Sequence, residues 1–269
     1  MSQTITELGP REAEFLATMA GSGRDVFAIK DAETFWGAGQ RTRSVLSRLE
    51  TKGWIDRLER GKYLLVPLEA GVSRKWSEDP LAIGTFLMPD GAAAYWTAAS
   101  HWGWTTQLPR TQFFITPRRR SNSSKSILGV PFRFITLGSD RIFGIESDWA
   151  GSLPVRVTDR ERTVVDMLDR PDLSGGIAEV TEMLARSWRE IDASKLTDYI
   201  ERFGSGTVPK RLGYLVELLG LGASAELVTR WHELSGAGIT LLERGGPATG
   251  RIVTRWGLRI NAGFEEVAL

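Results

Sequence analysis

The chain has 269 residues, 42 % hydrophobic and 25 % charged, which suits two ordinary domains and a full core without metal or disulfide staples. Its formal net charge of +1 excludes a global electrostatic pull toward nucleic acid or membrane, and leaves any such site to local clustering. With no cysteine, disulfides, thiolate metal sites and a cysteine nucleophile are excluded, and a cytoplasmic location is expected.

The opening stretch MSQTITELGPREAEF lacks the basic-then-apolar pattern of a secretory signal. No run reaches about 18 apolar residues, so no membrane span or membrane partner is expected. Pro10 to Ala20 predicts a helix, with Pro at its start and Phe15, Leu16 and Met19 on one face. Val26–Ile29 reads as a short strand, and Asp31 can cap a second helix ending at Trp36. Gly37-Ala38-Gly39 is a tight turn, followed by a third helix over Gln40–Lys52 that Gly53 stops. Trp54–Leu58 and Lys62–Val66 predict two strands joined by Glu59-Arg60-Gly61, a hairpin with Gly at its tip. Residues 69–79, EAGVSRKWSED, form a polar linker, dividing the chain into domains at 1–75 and 80–269.

Beyond the linker, Pro80–Met88 and the Ala-rich Ala92–Trp102 read as helices, and Phe113–Thr116, Phe132–Leu137 and Val155–Thr158 as strands. Between the first two strands lies the basic, Ser-rich loop PRRRSNSSKS. Helices follow over Asp159–Asp169, Gly176–Trp188, Ser194–Phe203, Pro209–Leu219 and Ala225–Leu234, each bounded by Gly, Pro or Ser. The last stretch, Gly238–Leu269, alternates apolar and polar residues around the loop RGGPATGR and reads as short strands. The expected class is α+β: an N-terminal winged helix-turn-helix, then a larger mixed α/β domain with antiparallel helices and a small sheet.

On the third helix, Thr42, Val45, Leu46 and Leu49 share an arc of about 100° that faces the core. The opposite arc holds Arg43, Ser44, Ser47, Arg48 and Thr51, with Gln40 and Arg41 at the N-terminal tip. Arginines beside short hydroxyls suit a helix that enters a major groove, because the long side chains reach base edges and the short ones allow close approach. Gln40 to Lys62 carries seven basic residues against three acids, a local balance of +4. Arg57, Arg60 and Lys62 on the hairpin are placed to grip backbone phosphate. The candidate DNA-binding set is therefore Gln40, Arg41, Arg43, Ser44, Ser47, Arg48, Arg57, Arg60 and Lys62. The expected partner is double-stranded operator DNA, and a symmetric site would need two copies of the chain.

Three segments resemble AbiEi-type antitoxins of bacterial type IV toxin–antitoxin and abortive-infection systems: RTRSVLSRLETKGWIDRLERGKYLLVPLEAG (41–71), VTDRERTVVDMLDRPDLSGGIAEV (157–180) and KRLGYLVELLG (210–220). The resemblance implies an N-terminal domain that represses its own operon. It also implies a C-terminal domain needed to oppose a nucleotidyltransferase-like toxin encoded beside it. The alternative is a winged-helix transcription factor whose C-terminal domain senses a small ligand; the identity of the neighbouring gene separates the two.

No enzyme motif stands out, and neither a catalytic residue nor a cofactor is expected. His101 and His232 are far apart and carry no metal-ligand signature. Gly138-Ser139 with Glu146 and Asp148 has too compressed an order for a nucleotidyltransferase site and reads as a loop. Phe203-Gly204-Ser205-Gly206 before Lys210-Arg211 lacks phosphate-loop spacing. Arg118, Arg119 and Arg120 lie in a run, Arg110 to Lys125, with five basic residues and no acid. That run reads either as a solvated loop or as a second phosphate or docking patch.

Overall fold

The computed structural model describes residues 8–66, 79–120, 122–150 and 153–262. Contact density divides the chain into two units, Met1–Leu87 with Ile127–Gly129, and Met88–Ser126 with Val130–Leu269.

The first unit opens with α1 (Pro10–Gly21), where Pro10 occupies the position whose N–H would be unsatisfied in any case. A short strand β1 (Val26–Ala28) leads into α2 (Ile29–Trp36), and Asp31 accepts the Ala28 N–H at 2.8 Å to close its first turn. The connection to α3 (Gln40–Thr51) is Gly37-Ala38-Gly39, with φ of 88° and 124° at the two glycines, a conformation other residues reach only at a cost. Strands β2 (Ile55–Glu59) and β3 (Lys62–Leu65) form a hairpin whose register shifts between Arg57 and Glu59. With β1 they make an antiparallel sheet of order β1-β3-β2. Phe15, Phe27, Ala32, Leu46, Leu49 and Ile55 meet in its core.

Helix α4 (Pro80–Leu87) belongs to this first unit, not to the C-terminal domain where the sequence put it: the Lys62 ammonium donates to the Leu87 carbonyl at 3.0 Å. The predicted linker over 69–79 lies outside the described residues except for Asp79.

The second unit is built on a six-stranded mixed sheet of order β6-β7-β5-β4-β9-β8. Its strands are β4 (Ala92–Ala93), β5 (Gln112–Thr116), β6 (Ser124–Ile127), β7 (Val130–Thr136), β8 (Ile145–Ala150) and β9 (Leu153–Thr158). Helices α5 (Tyr95–His101), α6 (Arg160–Asp169), α7 (Ile177–Ser187), α8 (Ala193–Phe203), α9 (Val208–Leu218) and α10 (Ala225–Leu234) pack a core around Trp104, Trp231 and Trp256. Strands β10 (Thr240–Leu241), β11 (Ile252–Val253) and β12 (Leu258–Arg259) complete a small sheet. The mixed α and β content agrees with the expected α+β class.

Three elements differ from the sequence expectation. The helix expected over Ala92–Trp102 is instead β4 followed by α5, because Ala92 and Ala93 pair with Ile115 and Phe114 in the sheet. At the start of α5, Tyr95, buried, takes the left-handed φ of 55°. The Ala94 N–H donates to the Phe113 carbonyl at 3.0 Å, and the Phe113 N–H donates to the Thr97 hydroxyl at 2.8 Å, so the corner is bonded on both sides. The loops expected around 117–126 and 138–148 contain the edge strands β6 and β8.

Candidate nucleic-acid interface

Helix α3 separates its residues as its pattern requires. Thr42, Val45, Leu46 and Leu49 are buried, while Gln40, Arg41, Arg43, Ser44, Ser47, Arg48 and Thr51 are exposed. The Thr42 hydroxyl donates to the Gly37 carbonyl and ties the helix to the glycine turn before it. Ser44 and Thr51 donate back to the carbonyls of Gln40 (3.0 Å) and Ser47 (2.9 Å), one turn earlier. These two hydroxyls are thereby folded back against the helix.

The hairpin contributes Arg57, exposed on β2, and Arg60, exposed at the tip before Gly61. Gly61 has φ of 75°, and a Cβ there would approach Ile29 Cγ2 to 3.3 Å, so glycine suits this turn on both counts. Lys62 is occupied differently from its neighbours. Its ammonium lies 3.1 Å from the Glu59 carboxylate and bonds the Leu87 carbonyl.

Ion pairing sorts the candidate cations into two groups. Arg41, Arg43, Arg57 and Arg60 carry no salt bridge among the described residues. Arg48 and Lys52 are both held by Glu12 of α1, at 3.1 and 3.3 Å. Burial acts to raise the Glu12 carboxyl, but hydrogen bonds from the Gly9 N–H, Arg48 and Lys52 outweigh it and hold the group below its ordinary value. Sequence reasoning missed this carboxylate, because a Glu in a first helical turn already has a local role beside the helix dipole.

The second basic run is partly occupied within its own unit. Arg118 forms an ion pair with Asp90. Arg120 stacks on the Phe134 ring, 4.6 Å from its centroid, and donates to the Met88 sulfur. Arg119 is exposed.

The two later segments of the family resemblance are interior scaffolding. In the first, Asp159 caps α6 and also accepts the Tyr199 hydroxyl, while Arg162 and Asp166 are fully buried together. In the second, Lys210 and Arg211 are buried with their charged ends on backbone carbonyls, Gly238 for Lys210, Leu168 and Leu241 for Arg211. Burial brings Arg211 down to about 10. The residues set aside in the sequence also have structural places. His101 bonds Asp148 at 2.8 Å, and His232 stacks on Trp256 with 3.9 Å between ring centroids. Gly204 ends α8 in the left-handed conformation. Among the described residues, no group of three His, Asp or Glu side chains is placed to hold a metal ion, and no helix is long and apolar enough to cross a membrane.

No family model and no curated protein matches the chain. Among solved structures it is similar to the RV2827C protein from Mycobacterium tuberculosis, at 14 % identity over 97 % of this chain and 94 % of that one, with a TM-score of 0.64. The two share a fold across nearly their whole lengths.

Proposed function

We propose that the first unit is a winged helix-turn-helix that binds double-stranded DNA, with α3 in the major groove and the β2–β3 hairpin beside it on the backbone. The observation that carries this reading is the division of α3. Its apolar side is sealed into the core, and its open side offers arginines over small hydroxyls, next to a hairpin that adds Arg57 and Arg60. An exposed arginine row alone is an ordinary solvated face. A basic helix following a glycine turn and leading at once into a basic hairpin has the order and charge of a groove reader.

The wider role proposed is that of an antitoxin and autorepressor, non-catalytic in its second unit, and it rests on the three resembling segments. The partner is then a nucleotidyltransferase-like toxin encoded beside it. The test has two arms. Binding of the full chain to a duplex from its own promoter is measured by anisotropy, beside growth on co-expression with the neighbouring gene product. Promoter binding without protection removes the antitoxin role; no binding to the promoter duplex removes the DNA-reading role.

A further inference from the structure

We propose that Glu12 is an internal counter-anion that withdraws Arg48 and Lys52 from the cations neutralising the DNA backbone, and so sets how steeply binding depends on salt. This rests on the DNA-binding reading of α3.

Arg48, in the last turn of α3, and Lys52, its C-cap residue, lie one helical turn apart, so one carboxylate on the neighbouring helix can span them. Glu12 does so from α1, with Oε1 toward Arg48 and Oε2 toward Lys52, while Oε2 also accepts the Gly9 N–H at 3.1 Å. The residue is only 7 % exposed. It lines an open groove of about 380 Å³ between α1 and α3, together with Arg11, Arg41, Ser44 and Arg48.

A phosphate approaching this groove competes with a carboxylate that is already desolvated and bonded three times. Handing over Arg48 and Lys52 would leave Glu12 buried with one donor, a penalty larger than a solvent-exposed phosphate contact returns. The two cations therefore keep the same partner with and without DNA, and they displace no counterions. Seven basic residues lie between Gln40 and Lys62 in the sequence, yet the salt response follows the four exposed ones that carry no salt bridge among the described residues, Arg41, Arg43, Arg57 and Arg60.

Four neutralised phosphates per bound protomer give a slope of log K against log salt near −3.6, a loss of about 150-fold between 50 and 200 mM salt. Glu12→Gln keeps the size of the side chain and an acceptor for Gly9 while releasing Arg48. Its slope should steepen to about −4.5, a loss of about 500-fold over the same range.

The experiment titrates a mixed-sequence duplex of roughly three helical turns with full-length protein across that salt range. Arg48→Gln serves as a second variant, independent of whether Glu12→Gln folds. In the otherwise unchanged protein it should leave the slope as it is; combined with Glu12→Gln it should flatten that variant's slope by about 0.9. Unchanged slope in Glu12→Gln with binding intact, or a flatter slope in Arg48→Gln alone, overturns the proposal. Absence of any binding by the unaltered protein at the lowest salt overturns the DNA-binding reading and this inference with it.

Discussion

Asp166 accepts two hydrogen bonds from the guanidinium of Arg162, one turn earlier on α6, at 3.0 and 2.8 Å through a single carboxylate oxygen, and neither side chain has exposed surface. The guanidinium also donates to the carbonyls of Arg141 and Phe143 and lies between the rings of Phe143 and Phe203. It therefore joins α6, α8 and the segment before β8. Arg162→Met leaves the carboxylate buried and unpaired and should cost about 3–5 kcal/mol, read as a fall in the urea midpoint. Wild-type stability in this variant would mean that the ion pair contributes nothing net.

The same carboxyl gives a pH signature. Burial, only partly offset by Arg162, pushes Asp166 up to about 6. A carboxyl raised in the folded state binds its proton more tightly there than in the unfolded chain. Its contribution is full below the ordinary carboxylate range and declines as pH rises through about 6. Asp166→Asn abolishes that titration. Relative to the wild type, the variant should gain stability between about pH 4 and 6 and hold a constant offset above. Paired urea melts at three pH values check this; an offset moving the opposite way refutes it.

Gly213 is set by Trp256. A Cβ at this position in α9 would run into the indole Cη2, and the indole N–H is fixed by a 2.7 Å bond to Glu217. Gly213→Ala should destabilise by about 1–3 kcal/mol or more through overpacking. Pairing it with Trp256→Leu should recover part of the loss, measured as a non-additive double-mutant cycle in thermal melts.

Arg43 is exposed on α3, away from the apolar arc. Arg43→Ala should weaken promoter binding by about 1–3 kcal/mol with an unchanged melting temperature. On the antitoxin and autorepressor role proposed above, it should lose repression in cells while keeping protection against the product of the neighbouring gene, scored by a promoter reporter beside growth. Leu46→Ala, at a fully buried position of the same helix, should instead cost about 2–5 kcal/mol of stability.

The elements with strong local signals were legible. The wheel of α3 separates buried from exposed residues as its spacing requires, and Ala225–Leu234 has the bounds that its Ser and Gly neighbours suggest. Edge strands were not. Strand β8 carries Glu146, Ser147 and Asp148 on a rim with little to bury, so its sequence shows no apolar alternation. Helix propensity misled at Ala92–Ala93, where sheet pairing prevails. For the candidate site, the positions of the basic residues could be read but their partners could not. Glu12 is 36 residues from Arg48, and no local pattern announces a contact at that distance. Lys210 and Arg211 show the same gap, since a basic pair after a glycine turn gives no sign that its charges are aimed at buried carbonyls.

The corner at Tyr95 has a kinetic consequence. A bulky residue held at a φ of 55° costs of order 1–2 kcal/mol. It stays there because Phe113 is bonded through both its N–H and its carbonyl to the segment that makes the turn. Strand β4 and helix α5 therefore cannot fray one after the other: opening either removes the bonds that hold Tyr95 in place. In native-state hydrogen exchange the amides of Ala94 and Phe113 should open together, at one free energy near that of global unfolding, while the edges of the same sheet exchange earlier.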